Sequence, residues 1–69
     1  MTATLQDWLT TATSNYAAAV ECFNRATQQA GRDGDPVAFD QWLRLATWHV
    51  QATGVTVAMA RAVSDRAVK

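Results

Sequence analysis

Sixty-nine residues with a single cysteine, six basic and six acidic side chains and no net charge make one small domain at most. This composition excludes an intramolecular disulfide framework, and its charge balance disfavours duplex nucleic acid or an anionic membrane surface as a partner. A hydrophobic fraction of 49% exceeds what one helical hairpin hides, and small chains without disulfide or metal staples usually complete their core by oligomerising.

Met1-Thr2-Ala3-Thr4 carries neither a charged n-region nor an apolar h-region, so no secretory signal is read there and the cytoplasm is the expected location. Thr4 is a helix N-cap candidate, with Asp7 three residues later completing an acidic capping box; Thr2 is the alternative cap. From there a stripe runs Leu5, Leu9, Ala12, Tyr16, Ala19, Phe23, Ala26, Ala30 at spacings of four and three. That period predicts an amphipathic helix over about residues 4–30, with large and small side chains alternating as in a bundle core. Trp8 and Val20 flank the stripe, and Glu21–Arg25 is an i,i+4 pair on the solvated face.

Gly31-Arg32-Asp33-Gly34-Asp35-Pro36 is the one turn-rich segment. Gly31 suits the C′ position that ends the first helix, Asp35 suits the N-cap of the second, and Pro36 suits its first turn. A loop over residues 31–35 is short enough to force the helices antiparallel, with Phe23 near Leu43, Tyr16 near Val50 and Leu9 near Val57. The second helix is expected over about residues 36–68, supported by Asp40–Arg44 and Asp65–Lys69 pairs and by Arg61, Arg66 and Lys69 near its negative end.

That helix carries two apolar seams. One is Phe39, Leu43, Ala46, Val50, Thr53, Val57, Ala60, Ser64, Ala67; the other is Trp42, Leu45, His49, Ala52, Thr56, Met59, Val63. One antiparallel neighbour covers one seam, so the second is read as the oligomer interface. The expected architecture is an all-α antiparallel two-helix hairpin, residues 1–69, that self-associates into a helical bundle, a dimer of four helices first. Trp48 is displaced from both seams toward solvent beside Val55 and Met59, and these three are the candidate anchors for another protein.

No reactive constellation emerges. His49 is the sole histidine and lacks the carboxylates of a bundle metal site, and Cys22 reads as a packing residue because its one possible base projects from the other seam. No catalytic residue, metal or cofactor is therefore assigned, and the chain is read as non-enzymatic. The two heptad-patterned helices and short loop resemble the plasmid-encoded Rop-type hairpins, which dimerise into four-helix bundles; the likeness is architectural and no motif is shared. The Trp-x-Gly turn of the WXG-type hairpins is missing. The favoured function is a small adaptor, inhibitor or regulator of the kind a phage or mobile element encodes, acting by homo-oligomerisation and helix-face docking to a protein. The alternatives are a nucleic-acid-binding hairpin dimer with Arg25, Arg44 and Arg61 on phosphates, and an accessory subunit or assembly factor of a larger complex.

Overall fold

Thr4 starts the first helix through a reciprocal pair of hydrogen bonds. The Asp7 backbone N–H donates to Thr4 Oγ1 at 3.2 Å, and the Thr4 N–H donates to Asp7 Oδ2 at 2.9 Å. In the computed structural model, which describes residues 3–68, helix α1 spans Leu5–Gln29 and helix α2 spans Pro36–Val68. The alternative Thr2 cap and the Asp65–Lys69 pair lie outside the described residues, as does the side chain of Ala67.

The turn between the helices is held by specific contacts. Gly31 has a φ of +117°, a region that L side chains rarely enter, and its carbonyl accepts from the Gly34 N–H at 3.3 Å. Gly34 passes so close to α1 that a Cβ there would overlap the Gln29 backbone carbonyl. Asp35 then caps α2, its Oδ1 accepting from the Val37 N–H at 2.9 Å and the Ala38 N–H at 3.4 Å, ahead of Pro36 in the first turn. The Gln29 side chain ties the two ends together by accepting from the Asp35 N–H at 3.0 Å.

The helices pack antiparallel along a line of small residues. Buried positions on α1 are Ala12, Ala19, Cys22 and Ala26; on α2 they are Ala46, Thr56 and Ala60. Ala46 and Ala19 are 0% and 2% exposed, and among the described residues no large side chain is fully buried. Small residues on the contact line let two backbones approach closely. A large side chain between only two helices has no third wall to enclose it, so it stays on the rim. The molecule is accordingly long and thin, 55 × 18 × 13 Å, with a radius of gyration of 15.8 Å. A globular chain of this length would have about 11 Å.

This seam differs from both anticipated ones. On α1 the alanine column of the expected stripe is buried, but Leu5, Leu9, Tyr16 and Phe23 are exposed, and Trp8, Asn15, Cys22 and Gln29 turn inward instead. On α2 the inward row is Phe39, Trp42, Ala46, His49, Thr53, Thr56, Ala60 and Val63, which takes half of each expected seam. Both rows keep the four-three spacing, because the alanines belong equally to the seam on either side of them.

The polar groups in this seam are satisfied locally. Thr56 is buried, and its hydroxyl donates back to the carbonyls of Ala52 at 3.1 Å and Thr53 at 2.9 Å. Thr11, Thr13, Thr27, Thr47 and Thr53 donate to the carbonyl four residues earlier in the same way. Among the described residues no buried side-chain nitrogen or oxygen lacks a partner.

Substituting Ala46→Leu should lower stability by about 1–3 kcal/mol in urea unfolding, because the helices must part to admit the side chain. An unchanged midpoint would mean that α1 and α2 are not in contact at this position. The two glycines should respond with opposite sign. Gly34→Ala should destabilise by roughly 1–3 kcal/mol through the clash with Gln29. Gly54→Ala should stabilise by up to about 1 kcal/mol at low protein concentration, since nothing lies within 4 Å of the added methyl.

Candidate functional site

The surface left by this packing is unusually apolar. Leu5, Leu9, Tyr16, Val20, Phe23, Val37, Leu43, Leu45, Trp48, Val50, Val55, Val57 and Met59 are all exposed. Helical geometry, at about 100° per residue, sorts most of them into two groups. Relative to the buried alanines, Leu5, Leu9, Tyr16 and Phe23 occupy one edge of α1, with Val20 just outside; Leu43, Val50 and Val57 occupy one edge of α2. The opposite edges carry the cross-helix contacts, in which His49 Nδ1 lies 3.4 Å from Asn15 Oδ1 and the Arg25 guanidinium lies 5.1 Å from the Trp42 ring centre. With the helices antiparallel, the two apolar edges therefore open on the same side of the hairpin. They form one broad face, two helices wide.

The second group belongs to α2 alone. Leu45, Trp48, Val55 and Met59 form a ridge on its outer side. Trp48 is 60% exposed and meets the His49 ring edge-on, with centroids 5.0 Å apart and planes at 87°. Shallow depressions flank the indole, one lined by Gln51, Ala52, Val55 and Thr56, the other by Gln41, Arg44, Leu45 and His49. The three anchors read from the sequence, Trp48, Val55 and Met59, thus lie on one exposed ridge.

The residues expected at the oligomer interface do not remain together. Thr56 is buried inside the hairpin, and Trp42, His49, Ala52 and Val63 are half-buried; only Leu45 and Met59 are exposed. Each helix is rolled toward the other side of its alanines relative to the sequence expectation, because the alanine line can be approached from either side. Asn15 was the residue missed. Its signal was present in the spacing of Trp8, Ala12, Asn15, Ala19, Cys22, Ala26 and Gln29, an uninterrupted heptad row that begins on a tryptophan.

Two of the arginines are held in ion pairs, and the one cysteine is packed. Arg25 Nε meets Glu21 Oε1 at 3.0 Å, and Arg44 Nε meets Asp40 Oδ2 at 2.8 Å, both as exposed i,i+4 pairs. Such pairs contribute a few tenths of a kcal/mol each. Cys22 is buried in the interhelical seam. Among the described residues, no three His, Cys, Asp or Glu side chains gather where they could hold a metal ion, and no helix is long and apolar enough to cross a membrane. Comparison with protein-family models, with curated proteins and with solved structures finds no match to this chain.

Among the described residues the Asn15–His49 contact is the one side-chain hydrogen bond between the helices, and at 3.4 Å it is long. A double-mutant cycle with Asn15→Ala and His49→Ala should give a coupling of about 0.5–1.5 kcal/mol. Strictly additive losses would place the two side chains out of contact.

Proposed function

We propose that this chain is a small non-enzymatic interaction protein of the cytoplasm, an adaptor, inhibitor or regulator that works by self-association and by docking a helix face onto a protein partner. The observation that carries this reading is the inversion of its packing. The interior holds alanines, one cysteine and one threonine, while thirteen large apolar residues face outward. A hairpin so built hides little apolar area, and hydrophobic burial is the main force that opposes chain entropy. A second apolar surface must supply what the interhelical seam does not.

The two groups of exposed residues suit two different occupants. The broad face uses both helices and suits a bundle. The Trp48–Val55–Met59 ridge suits a groove on another protein, read as anchors at helical spacing. A tryptophan on such a ridge is a frequent source of binding energy. The phosphate-binding alternative has less to support it, since Arg25 and Arg44 already face carboxylates.

Thermal unfolding followed by circular dichroism tests the self-association directly. The midpoint should rise steadily as the protein is concentrated from about 1 to 100 µM, because association stabilises the folded state by mass action. A cooperative transition whose midpoint is the same at every concentration would overturn the proposal.

A further inference from the structure

We infer that the broad face, and not the outer ridge of α2, is where two copies of this chain join, with α2 of one copy lying antiparallel to α2 of the other about Val50. This rests on the self-association reading and specifies its surface and symmetry.

Area selects the face. Given their exposures, Leu5, Leu9, Tyr16, Val20, Phe23, Leu43, Val50 and Val57 present on the order of 700 Å² per copy, close to the roughly 800 Å² per partner of a stable interface. Leu45, Trp48, Val55 and Met59, with Val37 in line with them, present on the order of 550 Å², short of that size. The face also spans two helices with a furrow between them, whereas the ridge is one convex helix side. Four helices packed across the face would enclose Tyr16 and Phe23 from both sides.

The spacing of the face suits two-fold symmetry. In a two-fold interface, residue i meets j and j meets i. Leu9 and Phe23 lie seven residues either side of Tyr16, and Leu43 and Val57 lie seven either side of Val50. A two-fold axis crossing the helices at the level of Tyr16 and Val50 therefore brings Leu9 to Phe23, Leu43 to Val57, and Tyr16 and Val50 each to its own copy. Leu9, Tyr16, Phe23, Leu43, Val50 and Val57 each meet a large apolar side chain in this way, while Leu5 falls opposite Thr27.

Charge selects this axis over one parallel to the helices. Asp40, which is 58% exposed and 2.8 Å from Arg44 on its own helix, lies ten residues before Val50 on the outer side of the face, and Arg61 lies eleven after it at the end of the face. They are about 31 Å apart along one helix. Antiparallel pairing of α2 with its copy puts Asp40 of each beside Arg61 of the other, twice per dimer. An axis along the helices would set α2 against α1 of the second copy, where the residues level with Asp40 and Arg61 on the apolar edge of α1 are Thr27 and Leu5.

Position-specific cross-linking tests this in the full chain carrying Cys22→Ala, with wild-type molar mass measured in parallel. Under mild oxidation Val50→Cys and Tyr16→Cys should form disulfide-linked dimers, since both sit at the two-fold axis. Trp48→Cys and Met59→Cys should stay single chains. Asp40→Arg and Arg61→Asp should each weaken the dimer by about five-fold, and the double variant should return to within about two-fold of wild type. A dimeric wild type that links through Met59→Cys or Trp48→Cys and not through Val50→Cys would overturn the assignment of the face while leaving self-association intact. Charge variants without effect on dimerisation would overturn the antiparallel pairing of α2. A wild type that stays monomeric at all concentrations would remove the self-association reading itself, and this inference with it.

Discussion

The contact line of alanines decides the rest of this structure. Ala12, Ala19 and Ala26 on one helix and Ala46 and Ala60 on the other are buried along it, and the closeness this permits has a geometric consequence. Two helices this close enclose small side chains and leave Trp8, Phe39 and Trp42 of the seam half-buried. Leu9, Tyr16 and Phe23 stand on the rim, where a two-helix molecule has nothing further to cover them. The thin 13 Å dimension of the hairpin and its exposed Tyr16 and Phe23 are two results of the same constraint.

The ends of the elements were legible from short-range chemistry. The Thr4–Asp7 capping box, the Gly31 turn, the Asp35 cap and Pro36 each act within a few residues, and each occurs as its local pattern implies. The antiparallel register followed from the length of the loop, and the Asn15–His49 contact agrees with it. The rotation of each helix about its axis was not legible. Ala19 is flanked by Tyr16 and Phe23 on one side and by Asn15 and Cys22 on the other, and both rows have heptad spacing. Hydrophobicity alone favours the first, yet the structure buries the second. The inward row pairs Asn15 with His49 and half-buries Trp8 and Trp42, and the row left outside is the more uniformly apolar. Hydrophobicity ranks rows by what they gain from burial in general. It does not say whether the burying neighbour is the same chain or another molecule.

For the same reason the candidate site was read only in part. Trp48, Val55 and Met59 lie on the far side of α2 from the alanine line, so their exposure did not depend on which way the helix rolled. The seam of Trp42, His49 and Thr56 did depend on it and turned inward. The hairpin thus separates two tasks. One side is closed by indoles, an interhelical hydrogen bond and a cation–π contact between Arg25 and Trp42. The other side remains apolar and uncharged through its middle, with Asp40 on its outer side and Arg61 at its end.

If a second copy completes this fold, as proposed, the hairpin is not a self-sufficient folded unit. Light scattering coupled to size exclusion, at tens of micromolar, measures that directly. A molar mass of at least twice the 7.5 kDa chain, with a helical circular dichroism spectrum, is the predicted result. A well-folded, cooperatively melting species of 7.5 kDa would contradict it.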